Sequence, residues 1–180
     1  MPVSISLFTS TISIKTISYI VAFLLLYFSL LKSTVGPEGK IIGVDITDRM
    51  LQQAEERVVR NGWANIDLVK SDAAEFRFPQ DVDGIISTFA ITLCPEFDKV
   101  ILNGCKSLKP GRRWVILDLK MPDNWLSFFT PLFIFLSRPF GVTEDLITRH
   151  PWESLNKYFK NFTMTELYKG VAYIAVGEKG

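Results

Sequence analysis

The sequence predicts an α/β fold: a parallel sheet with helices on both faces and an antiparallel hairpin at the carboxyl end. Three observations carry this expectation. Short β-branched runs alternate with amphipathic stretches between residues 40 and 119, the rhythm of strands joined by helical crossovers. The strand candidates are near-continuous apolar runs, as in strands buried on both faces. The chain closes on two short alternating runs flanking Tyr168-Lys169-Gly170, a hairpin pattern. The 180 residues are 48% hydrophobic and 22% charged, which excludes global disorder. Twenty basic residues face 19 acidic ones, so no strong basic field draws in nucleic acid. Two cysteines and one histidine exclude a disulfide framework and a multi-histidine metal site, and no metal is expected. Reduced, intracellular chemistry is the simplest reading.

Residues 1–35 stand apart. They hold no Gly, Asp or Glu, and their charges are Lys15 and Lys32. We therefore divide the chain into a hydrophobic segment, 1–35, and an α/β domain, 36–180. Within the first lies Ile17–Leu31, 15 residues without a charge. As one helix it would be roughly 22 Å long, short of the ~30 Å bilayer core. Three readings stay open: a buried helix of the fold, a membrane anchor or signal-anchor, and the product of a mis-set start. As an anchor, it would be followed by Lys32, Lys40, Arg49, Arg57 and Arg60, which would leave the body in the cytoplasm.

From residue 40 the elements follow in order. Lys40–Ile46 is a short apolar run ending beside an acid, a buried strand. Thr47–Asn61 is helical, with Met50, Leu51, Ala54 and Val58 on one face; Thr47 or Asp48 caps its start and Asn61-Gly62 stops it. Ile66–Lys70 and Asp83–Phe89 are strands, and Pro95–Leu108 is a helix. Lys109-Pro110-Gly111 is a break, and Arg113–Leu119 is a further strand. Pro122–Val142 is apolar but interrupted by Pro131 and Pro139, so it is not one regular helix. Pro151–Lys160 suits a short helix with proline in its first turn. Phe162–Leu167 and Ala172–Gly177 form the terminal hairpin.

Few residues invite chemistry. Asp45 stands at the carboxyl end of a strand, where an open α/β sheet binds ligands and where a carboxylate accepts from ribose hydroxyls. Capping the next helix would suit it equally. Asp72 ends the following strand and can accept from an adenine amino group, or cap a turn. Thr88 and Phe89 end a further strand and floor the same crevice. No general base stands out. His150 beside Pro151 reads as structural, and Cys94 beside Pro95 as an inert thiol, although a helix start can stabilise a thiolate. Arg112-Arg113 reads as a solvated turn. Trp125–Phe140 suits an apolar lid over a hydrophobic acceptor, a membrane-surface patch, or a cover for the sheet.

The stretches KIIGVDITDRMLQQAEERVVRNG, Ser71-Asp72-Ala73, DGIISTFAI, SLKPGRRWVILDLK and ELYKGVAYIAVGEK follow one another in order. Together they resemble the class I S-adenosylmethionine-dependent methyltransferases, in particular their small-molecule and lipid/quinone branch. The resemblance covers about Gly36–Gly180. It implies a Rossmann-like sheet of seven strands with an antiparallel last strand, and S-adenosyl-L-methionine as cofactor. It implies methyl transfer to a small, hydrophobic or lipid-like acceptor. By the resemblance, Asp45 holds the ribose hydroxyls, Ile46 and Met50 pack near the adenosine, and Asp72 accepts from the adenine amino group. Ala73 would give a backbone contact, and Thr88 and Phe89 would lie near the methyl donor. The family opens with a strand and a Gly-rich turn. Here the matching stretch, Ser10–Leu26, holds no glycine, so the first strand is expected to be atypical or lost. The competing reading is a non-catalytic, truncated remnant without cofactor, either free or held at a membrane through Ile17–Leu31. A nicotinamide-dependent oxidoreductase would need a Gly-rich turn as well.

Overall fold

The computed structural model describes residues 16–21, 28–120 and 148–180, with backbone only at 17–21. Its strands are β1 (Thr16–Val21), β2 (Lys40–Asp45), β3 (Ile66–Lys70), β4 (Val82–Thr88), β5 (Leu108–Leu119), β6 (Lys160–Leu167) and β7 (Ala172–Glu178). Its helices are α1 (Phe28–Val35), α2 (Asp48–Arg60), α3 (Phe97–Ser107) and α4 (Pro151–Tyr158). The strands form one seven-stranded sheet in the order β3-β2-β1-β4-β5-β7-β6. The first five run parallel. β7 inserts antiparallel between β5 and β6.

The expectation of a lost first strand is corrected; the strand is present and lacks glycines after it, as the atypical alternative had it. β1 pairs with β2 on one side and β4 on the other, filling the centre of the sheet. The physical reason is backbone accounting: without β1 the facing edges of β2 and β4 would leave buried N–H and C=O groups unpaired. The reading of Ile17–Leu31 as a single helix is corrected with it. The chain is extended through Val21 and helical from Phe28. Phe28, Leu31 and Val35, at helical spacing on α1, are buried against Ile41, Ala54, Ile86 and Val115. Gly36 then takes φ +73° and donates its N–H to Lys32 O at 3.1 Å, a left-handed helix exit. Three apolar side chains of α1 are thus spent on the core, while Leu30 stays exposed. Among the described residues no helix is long and apolar enough to cross a membrane.

The core divides across the sheet. One half lies under α1 and α2. The other packs Trp114, Ile116 and Tyr173 against Phe76, Phe78, Ile101, Leu155 and Phe159. α3 comes so close to the sheet at Gly104 that a Cβ there would run into the Trp114 ring. Lys109-Pro110-Gly111 does not end an element, as the sequence predicts. β5 runs through it as a bulge, pairing Leu108 with Val82 and then Arg113 with Gly84. Arg112-Arg113 is not a solvated turn either. The buried Asp83 carboxylate accepts from Arg112 at 3.1 Å, from Lys109 at 2.9 Å and from Thr16 N–H at 3.0 Å. Arg113 pairs with Glu178 at 3.0 Å. The cause is position: both arginines lie at the amino-terminal edge of the sheet, where acids from β4 and β7 meet them.

Candidate functional site at the carboxyl rim of the sheet

The register sets the site. Asp45 ends β2 opposite Lys70 of β3, Val44 opposes Ile20 of β1, Val21 opposes Thr88 of β4, and Thr88 opposes Leu117 of β5. Asp45, Thr88 and the residues just past Lys70 therefore meet along one rim, the carboxyl edge of the parallel strands. The chain crosses from β1 to β2 on one side and from β3 to β4 on the other. The rim at β1 and β4 is thus a topological switch point, where open α/β sheets form a crevice.

Asp45 is buried, 6% exposed. Its Oδ1 accepts from Thr47 N–H at 2.8 Å and from the Thr47 hydroxyl at 2.5 Å. Thr47 is the N-cap residue of α2 but makes no side-chain cap bond there, because its hydroxyl is turned back onto Asp45. Oδ1 organises the helix entrance. Oδ2 is buried with no hydrogen-bond partner among the described residues. A buried carboxylate oxygen without a donor costs free energy. A donor arriving with a ligand, such as a ribose hydroxyl, repairs that deficit, so this oxygen fits the group the resemblance implies.

Asp72 is exposed just past β3. Its Oδ1 accepts from Ala74 N–H at 2.8 Å, and its carbonyl accepts from Glu75 and Phe76 N–H. One carboxylate oxygen thus fixes the turn that carries Ala73. Ser71 N–H donates to Asp45 O at 3.1 Å, which ties this turn to the end of β2. Ile46 is 60% exposed and Met50 is half-buried in the first turn of α2. Thr88 is buried. Phe89, the next residue, takes φ +52° and donates its N–H to Leu117 O at 2.8 Å. A left-handed aromatic residue is strained, and such strain concentrates at functional sites.

The other chemical candidates are held in arrangements of their own. His150 Nδ1 lies 3.1 Å from Glu153 Oε1 and its ring stacks on Trp152, a local arrangement at the start of α4. Burial pushes the Cys94 thiol up, away from thiolate character. The stretch Trp125–Phe140 and residues 22–27, which follow β1, lie outside the described residues.

Sequence reasoning missed Asp118. It is buried near the carboxyl end of β5, and its carboxylate accepts from Thr92 N–H at 2.9 Å and from Leu119 N–H at 2.8 Å. Burial raises its pKa to about 6, against the lowering effect of those N–H donors. The signal was present: an acid near the carboxyl end of a strand, the same feature that singles out Asp45.

A methyltransferase domain family matches residues 23–168. Among curated relatives, the chain is 28% identical over 110 residues to the demethylmenaquinone methyltransferase of Listeria monocytogenes serotype 4a, covering 59% of this chain and 46% of that one. It is 25% identical over 155 residues to the demethylmenaquinone methyltransferase of Geobacillus stearothermophilus, covering 83% and 66%. It is 35% identical over 94 residues to the ubiquinone/menaquinone biosynthesis C-methyltransferase of Pseudomonas putida, covering 51% and 37%. The chain thus spans about half the length of the first of these relatives. Among solved structures, a methyltransferase from Aquifex aeolicus superposes with TM-score 0.65 at 20% identity, over 96% of this chain and 85% of that one. Haemonchus contortus phosphoethanolamine N-methyltransferase 2, bound to S-adenosyl-L-methionine, superposes with TM-score 0.77 at 15% identity, over 98% and 51%. At those identities the superpositions speak for the fold. With the sheet order, the antiparallel β7 and the family match over most of its length, the chain belongs to the methyltransferase domain family.

Proposed function

We propose that this chain binds S-adenosyl-L-methionine at the carboxyl rim of β1, β2 and β4 and transfers its methyl group to a small, hydrophobic acceptor. The observation that carries the reading is the buried Oδ2 of Asp45, without a hydrogen-bond partner among the described residues, beside the switch point. In this reading Asp45 accepts the ribose hydroxyls. The turn of Asp72 and Ala73 meets the adenine, Ile46 and Met50 flank the adenosine, and Thr88 and Phe89 close the floor beside the methyl donor. The cofactor supplies a methyl already activated on a sulfonium sulfur. What the chain must add is chiefly position and exclusion of water. The names of the Listeria, Geobacillus and Pseudomonas relatives support an acceptor of quinone type.

The test is calorimetric titration of the purified chain with S-adenosylhomocysteine, followed by a methyl-transfer assay on a demethylated naphthoquinol. We expect micromolar binding by the wild type. Asp45→Asn should weaken it by about 10–100-fold, the weight of one or two hydrogen bonds to a charged acceptor. A folded chain that does not bind S-adenosylhomocysteine would refute the reading and leave a non-catalytic remnant as the alternative.

A further inference from the structure

Asp118 poses a problem of energetics. A carboxylate in the interior is costly to desolvate. Its neighbours on the same sheet face, Trp114 and Ile116, are apolar. Tyr173 opposes it across β7, and burial together with the Asp118 charge keeps that phenol protonated. Stability alone does not place an acid here. What the acid does is hold a loop. Residues 89–94 leave the end of β4 and lie against the end of β5. Phe89 N–H donates to Leu117 O at 2.8 Å, Thr92 N–H to Asp118 Oδ2 at 2.9 Å, and the Thr92 hydroxyl to Leu119 O at 3.4 Å. From the opposite side Arg149 Nη1 donates to Thr92 O at 3.3 Å and to Leu93 O at 3.0 Å. The loop is thus gripped through both polar groups of one peptide residue, N–H from within and C=O from without.

The grip sits three residues beyond Phe89, whose left-handed backbone persists only if its surroundings over-determine it. We infer that Asp118 and Arg149 are positioning residues: together they latch the loop after β4 and hold Thr88 and Phe89 in the geometry that the cofactor crevice requires. Neither touches the cofactor in this scheme. The inference rests on the cofactor reading given above.

The experiment uses the full chain and two variants, Asp118→Asn and Arg149→Met. S-adenosylhomocysteine affinity is measured by calorimetry at pH 7.5, and amide hydrogen exchange is followed in the ligand-free proteins. Both variants should bind about tenfold or more weakly, the scale of a lost charge-assisted hydrogen bond. Exchange at the Thr92 amide should rise by about tenfold or more while core amides of Val115 and Ile174 keep wild-type protection, the signature of local opening. A purely structural role would lower protection throughout the sheet and leave the affinity of folded molecules unchanged. Folded variants that bind as tightly as the wild type overturn the inference. If Asp118→Asn does not fold, Arg149→Met alone decides in the same terms. Failure of the wild type to bind overturns the cofactor reading and this inference with it, a result distinct from wild-type binding that the variants preserve.

Discussion

Asp45 and Asp118 are both buried acids at strand ends, and their surroundings give them opposite tasks. Asp45 commits one oxygen to the entrance of α2, and its other oxygen has no donor among the described residues, as the proposed ribose contact requires. Asp118 commits both oxygens to backbone N–H groups, so it serves the protein itself. A pH signature separates the second from an ordinary surface acid. Its carboxyl stands at 3.8 when unperturbed and is raised to about 6 by burial. Between those values the folded state keeps a proton that the unfolded chain has released. Its contribution to stability therefore falls as pH rises through that window and levels off above about pH 6, by roughly 3 kcal/mol in total. Urea denaturation at pH 4.5 and 7 should show about 2 kcal/mol of that loss in the wild type. The stability difference between Asp118→Asn and the wild type should shift in favour of the variant by a comparable amount. A pH-independent difference would contradict the burial of the charge.

At the scale of elements, Ile17–Leu31 changed most between sequence and structure: it divides into a strand through Val21 and a helix from Phe28, and α1 keeps the buried-helix reading. Phe28 is fully buried and meets Trp63 edge-on, with ring centroids 6.3 Å apart. Phe28→Ala should cost about 3–5 kcal/mol, the range for a core phenylalanine, read as a lowered urea midpoint. An anchor helix with no place in the fold would leave that midpoint unmoved. On the other face, Gly104→Ala would drive a Cβ into Trp114 and should destabilise by about 1–3 kcal/mol through overpacking. Local signals explain which elements were legible. β2, α2, β3, α3 and the terminal hairpin each carry their own period and their own stop, such as Asn61-Gly62 after α2. β1 was illegible because Thr16–Val21 runs into the apolar residues of α1 without a charge or a glycine between them. Over such a run, periodicity alone does not separate a buried strand from a buried helix. The bulge at Lys109-Pro110-Gly111 was hidden for a different reason. It depends on pairing with β4 and not on local preference. Within the site, the acids at strand ends were readable from position. The left-handed turn at Phe89 and the loop latch were not, because both depend on hydrogen bonds between strands distant in sequence.

For the whole molecule, the decisive feature is that β1 completes the sheet at its centre and creates the switch point. Its start is fixed at the opposite edge by Asp83, which joins Thr16 N–H to Lys109 and Arg112. Asp83→Ala should destabilise by roughly 2–3 kcal/mol, less than a fully enclosed pair because Lys109 and Arg112 both reach solvent. Loss of protection at the β1 amides in hydrogen exchange should accompany it; protection retained there would contradict the fastening role. β1 in turn supplies the floor between Asp45 and Thr88 on which the proposed function depends. The most direct measurement of that function is a cycle on the ligand and the protein together. Binding of S-adenosylhomocysteine is compared with binding of an analogue lacking the ribose 2′ and 3′ hydroxyls, in the wild type and in Asp45→Asn. If Oδ2 of Asp45 receives those hydroxyls, the analogue should lose about tenfold or more in the wild type and little further in the variant, a coupling well above the scatter of independent changes. Equal losses in both proteins would show that the buried oxygen and the ribose do not meet, and would contradict the assignment of the crevice.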